Sequence, residues 1–74
     1  MFKIDDEFYN PENNKFYKIA FISQHKLFVT MYELYESNWI IILNPWPIDK
    51  LINALKNKEL IPNTETGRLL FDRK

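Results

Sequence analysis

The chain has 74 residues and no cysteine, and its 10 basic side chains are matched by 10 acidic ones. That length allows one domain, residues 1–74, near the lower limit at which a single core is sufficient. The missing thiols exclude a disulfide framework, thiolate metal sites and thiol chemistry, and the zero net charge supplies no field to gather nucleic acid or anionic lipid.

Taken in chain order, the first element is a strand over Phe2–Tyr9, with Phe2, Ile4 and Phe8 on one face and Lys3, Asp5 and Glu7 on the other. Asp6 interrupts the apolar face, so a bulge or turn is expected near Asp5-Asp6. Asn10-Pro11-Glu12-Asn13-Asn14 is a loop signal. Lys15–Ser23 reads as a second strand, apolar on both sides, with Tyr17, Ile19 and Phe21 opposing Phe16, Ala20 and Ile22. Ser23-Gln24-His25-Lys26 then makes a hairpin turn, and Leu27–Tyr35 a third strand in which Leu27, Val29 and Met31 oppose Phe28, Thr30, Tyr32 and Leu34.

Glu36-Ser37-Asn38 turns the chain into Trp39–Leu43, which, having no polar face, is expected to be the most buried strand. Pro45 and Pro47 stop the sheet, since neither can donate to a ladder, and Pro47 suits a first helical position. Ile48, Leu51, Ile52 and Leu55 repeat at helical spacing, with Asp49 near the positive helix end and Lys56 and Lys58 near the negative one. These signals predict a helix over about 47–58, after the fourth strand. Leu60-Ile61-Pro62 closes it, residues 63–67 form a polar turn with the single Gly, and Arg68–Phe71 reads as a short last strand.

The sum is an α+β domain, a four- to five-stranded antiparallel meander with one helix. In architecture it resembles an SH3-like small barrel over roughly residues 2–71, with no family motif behind the likeness. The rival is a bent sheet with the helix packed on its face. Every aromatic residue except Phe71 lies between Phe2 and Trp46. Ordering a chain costs roughly 1.5 kcal/mol per residue, and a buried ring removes about 150 to 250 Å² from water, so most of these rings are expected inside.

Catalytic signals are weak. Asp5, Asp6 and Glu7 alternate across a strand, which suits a solvated edge better than one metal ion. His25, the single histidine, stands in a turn without an orienting partner, and one Gly rules against a phosphate-cradling loop. The expectation is no enzyme, no cofactor and no metal. With no run approaching a membrane span and an acidic start unlike a leader peptide, a cytoplasmic location is expected.

Two binding readings remain. Tyr9, Tyr32, Tyr35 and Trp46 sit at strand ends or before the helix and belong to the residue types enriched in interface hot spots, which favours a protein-binding module. Ile, Asn and Lys make up a third of the chain, a bias of AT-rich genomes that fits a phage or mobile-element protein docking to a host enzyme, of a defence system for instance, and inhibiting it. The partner is thus a host or cognate protein, and strands apolar on both faces make a homodimer an open alternative. The second reading is a small-barrel nucleic-acid-binding protein using Phe16, Tyr17, Lys18, Lys50, Lys56 and Lys58, weakened by the lack of a concentrated basic stripe.

Overall fold

The computed structural model describes residues 2–63. The last strand expected at Arg68–Phe71 lies outside them, as does most of the polar turn before it. Seven elements follow in order: β1 (Glu7–Asn10), β2 (Lys15–Ile22), β3 (Phe28–Tyr35), β4 (Asn38–Ile41), β5 (Trp46–Pro47), α1 (Ile48–Lys56) and β6 (Ile61–Pro62). All strand pairs are antiparallel, in the order β4-β3-β2-β1-β6, while β5 also pairs with β3. The result is an α+β fold, a bent sheet of six strands with one helix. Among the described residues no pairing joins β4 or β5 to β6, so the sheet is open and an SH3-like barrel is not formed by them.

One bulge explains why β2 looks apolar on both sides. Ile19 pairs with Met31 but Phe21 with Thr30, so Ala20 is an extra residue in β2. An extra residue shifts the two-residue alternation of a strand by one. Tyr17 and Ile19 therefore point to the core before the bulge and Ile22 after it, while Phe21 is turned outward and exposed.

The core joins Phe8, Ile19, Val29 and Met31 from the sheet to Leu51, Ala54 and Leu55 from α1 and Leu60 beyond it. Each large member contributes about 1.5–3 kcal/mol by leaving water. Phe2, Tyr17, Ile22, Trp46 and Ile48 pack around the edge of this cluster. Phe8 is the single fully buried ring among the described residues, which corrects the expectation that most rings lie inside. Aliphatic side chains fill the space between helix and sheet instead.

The strand expected over Phe2–Tyr9 is shorter, because the chain turns at Ile4-Asp5, where Asp5 takes φ 76°. Backbone hydrogen bonds from Asp5 N–H to the Ile19 carbonyl (2.8 Å) and from Ile19 N–H to the Asp6 carbonyl (2.9 Å) tie this turn to β2. Asp6 is only 5% exposed, and its carboxylate accepts the Lys3 amide at 2.9 Å. It is a structural acceptor in the turn rather than part of a solvated acidic edge.

The helix begins one residue later and ends two residues earlier than the spacing predicted, and it follows a fifth strand rather than the fourth. Pro47 does not occupy the first helical turn: it flanks the helix while closing a two-residue ladder with Phe28, and the Ile48 amide donates to the Leu27 carbonyl at 2.8 Å. Prolines before α1 thus do not end the sheet, since the edge of β3 accepts a short strand there. At the other end, Glu59 N–H reaches the Ala54 carbonyl (2.9 Å) and Lys58 N–H the Leu55 carbonyl (3.2 Å), with Lys58 at φ 64°. That is a Schellman closure with lysine where glycine is usual, and buried Leu60 follows it.

The largest correction concerns Trp39–Leu43. This run, expected to be the most buried, forms the edge strand β4 and the segment after it; Ile40 is 49% exposed, Ile41 48% and Leu43 84%. An uninterrupted apolar run reports two faces without polar residues, and both a central and an unprotected edge strand satisfy that.

Candidate functional site

Residues paired directly across an antiparallel ladder share a face of the sheet. Starting from buried Phe8, Met31 and Val29, the pairings assign Tyr17 and Trp46 to the helix-covered face. The opposite face receives Tyr9 with Phe16, Glu7 with Lys18, Lys18 with Tyr32, Leu34 with Trp39 and Tyr32 with Ile41. No described element covers this second face.

Its side chains contact one another. The Tyr9 and Phe16 rings lie 4.9 Å apart, tilted by 39°. Lys18 Nζ stands 4.4 Å from the centre of the Trp39 indole and 5.8 Å from that of the Tyr32 ring. A lysine between two ring faces is held by the ring quadrupoles, at about 0.5–1 kcal/mol for an exposed site. The chain builds this cluster by register. The two-residue loop Glu36-Ser37, with φ of 49° and 71°, sets Trp39 opposite Leu34, which puts the indole on the side of Tyr32. Both positive φ values are those a type I′ hairpin requires.

The Tyr9 hydroxyl donates to Asn14 Oδ1, which fastens the ring to the β1–β2 loop. That loop is further closed by the Asn10 and Asn13 side chains, which accept the amides of Glu12 (2.9 Å) and Lys15 (3.0 Å). On the covered face, Lys15 Nζ donates to Glu33 Oε2 at 3.1 Å. This hydrogen bond, and secondly the Glu33 charge, hold the Lys15 ammonium above its ordinary pKa.

The four residues first put forward for protein docking do not form one patch. Tyr9 and Tyr32 belong to the uncovered face, whereas exposed Tyr35 ends β3 on the other side and Trp46 packs against the core with Lys50 Nζ 5.9 Å from its ring. The nucleic-acid set divides likewise: Phe16 and Lys18 share the uncovered face, Tyr17 turns to the core, and Lys50, Lys56 and Lys58 lie on or just after the helix behind the sheet. Trp39 and Leu34 were missed as surface residues. The tight turn at Glu36-Ser37 was the available signal, since a two-residue hairpin fixes which residues oppose each other.

A separate cleft of about 220 Å³ opens between the N-terminal segment, the end of β2 and α1, lined by Phe2, Ile22, Lys26, Ile48 and Ile52. It is smaller than the roughly 300–1,000 Å³ of most small-molecule sites. His25 is exposed in the β2–β3 turn, where the Ser23 hydroxyl accepts the amides of Leu27 and Phe28 at 3.1 Å each. Among the described residues no three His, Cys, Asp or Glu side chains are grouped to hold a metal ion, and no helix is long and apolar enough to cross a membrane. Compared with known proteins, the chain matches no family model, no curated protein and no solved structure.

Proposed function

We propose that the chain is a non-enzymatic protein-binding module whose docking surface is the uncovered sheet face around Tyr9, Phe16, Lys18, Tyr32, Leu34 and Trp39. The observation that carries this reading is the ring cluster itself, laid on the sheet face that no helix among the described residues covers. Rigid rings present large contact area at small conformational cost, and such clusters dominate binding energy where they can be fully desolvated. Glu7 stands across the ladder from Lys18, so the face carries no net excess of either sign at its charged pair. A partner with an apolar or aromatic patch and balanced charge fits it.

The nucleic-acid reading is weaker for two physical reasons. Phosphate binding draws its affinity from several cations that release counterions, and this face offers Lys18 alone among the lysines considered. Base stacking needs an unobstructed ring face, and Lys18 already sits over Trp39. Inhibition of a host enzyme is the narrower form of the docking reading; it rests on composition, and the fold adds nothing to it.

The test compares the wild-type chain with Tyr32→Ala/Trp39→Ala in cross-linking to source-cell lysate, alongside titration of a single-stranded oligonucleotide at low and high salt. The expected outcome is a defined protein cross-linked by the wild type and lost in the double variant, with no oligonucleotide bound. Salt-sensitive oligonucleotide binding that the double substitution abolishes would replace protein docking with the nucleic-acid reading.

A further inference from the structure

The β4 edge carries an inference independent of what the uncovered face binds. A two-residue hairpin makes Tyr35 and Asn38 a hydrogen-bonded pair, after which bonded and non-bonded pairs alternate. Ile40 is therefore bonded to Glu33, and the Ile42 amide to the Met31 carbonyl at 2.8 Å keeps the same alternation. It follows that Trp39 and Ile41 aim their backbone N–H and C=O groups away from β3, toward the free side of the edge, and Leu43 follows at the bend that ends this run.

This edge lacks the usual protection. Sheet edges are blunted by charge, proline or bulges, yet no charged residue stands between Glu36 and Asp49, and no proline stands between Glu36 and Pro45. The opposite edge is different. β6 is two residues long and includes Pro62, which has no N–H to offer. Among the described residues, one edge is open to pairing and the other is closed.

We propose that β4 pairs antiparallel with β4 of a second copy of this chain, about a two-fold axis near Ile41. In that register Ile41 faces Ile41 of the second copy, and Trp39 faces Leu43. A second copy is the occupant that the edge chemistry selects. Every residue brought together is uncharged, the zero net charge sets up no repulsion between copies, and the isologous contact closes both free edges at once. What remains outside are two β6 edges, each shortened and proline-bearing. Because paired residues keep their face, the two ring clusters join in one surface across the axis.

Sedimentation equilibrium over a wide concentration range tests this with the full chain, together with Leu43→Lys and Ile41→Lys/Leu43→Lys. Leu43 is so exposed that its substitution leaves the fold intact, and unchanged far-ultraviolet circular dichroism checks the double variant. The expected wild-type mass is twice the 9.0 kDa of one chain, weakened toward monomer by Leu43→Lys, which sets a charge against Trp39 of the second copy, and falling to 9.0 kDa with Ile41→Lys/Leu43→Lys, whose charges at position 41 face each other across the axis. Amide exchange at Trp39, Ile41 and Leu43 should be slow in the dimer and fast in the variants. A wild type that stays at 9.0 kDa throughout overturns the proposal, as does a dimer that survives both lysines. A monomer with those amides protected also overturns it, and assigns the edge to residues of this same chain beyond Asn63.

Discussion

On the helix side of the sheet, Ile19, Val29 and Met31 meet Leu51, Ala54, Leu55 and Leu60, with Phe8 the one fully buried ring among the described residues. On the other side Tyr9, Phe16, Tyr32 and Trp39 lie half exposed around Lys18. The first set is shaped by packing density: flexible aliphatic side chains interlock between a helix and a pleated surface. The second is shaped by area and polarity, since Tyr and Trp carry a polar group that tolerates water while the ring stays available. Hydrophobic side chains in this domain are thus placed in two ways, packed beneath the helix on one face and half exposed on the other, divided by a single sheet.

Truncation on each side should separate those uses most sharply. Phe8→Ala is expected to lose about 3–5 kcal/mol in urea unfolding, enough to leave so small a domain largely unfolded. Trp39→Ala should lose only about 1 kcal/mol, the indole's packing and its cation–π contact, while abolishing cross-linking to the partner. Equal losses would erase the distinction between the faces.

The backbone allows a second comparison. In the β3–β4 turn that sets the register of Trp39, Glu36 and Ser37 both occupy positive φ, where Asn-Gly is the preferred pair, so Glu36→Asn/Ser37→Gly should raise stability by about 1–2 kcal/mol. On the helix side, Lys58→Gly relieves the same kind of strain in the Schellman closure and should add about 1 kcal/mol in thermal unfolding. The Glu36/Ser37 change should also leave partner binding intact, because it preserves the register that places Trp39.

The smallest effect is electrostatic. Lys15 has its pKa raised above the ordinary 10.5 by Glu33, so its contribution is complete below that value and is lost as pH rises through the folded-state pKa. Alkaline titration of melting temperature should show this loss in the wild type and not in Glu33→Gln.

Much of the fold was legible in the sequence. Residues β-branched or aromatic and broken by polar clusters gave the first four strands, and the turn near Asp5-Asp6 follows from a carboxylate interrupting an apolar face. Helical spacing from Ile48 to Leu55 located α1 to within one residue at its start. Three features were not legible because they depend on neighbours distant in sequence. The Ala20 bulge appears only when β2 is set against β3, and β5 and β6 are two-residue strands that exist only through pairing to β3 and β1. The exposure of Ile40, Ile41 and Leu43 depends on β4 having no further strand beside it among the described residues. For the candidate site, Tyr9 and Tyr32 were recognisable by type, but their grouping with Phe16, Lys18 and Trp39 required the register.

The division between a packed face and a contact face is tested most directly by the effect of a soluble nitroxide on the ring protons of the folded chain. Strong relaxation at Tyr9, Phe16, Tyr32 and Trp39, with Phe8 shielded, is the expected result. If the rings of the uncovered face were as shielded as Phe8, that face would be covered and its assignment as a docking surface would be wrong.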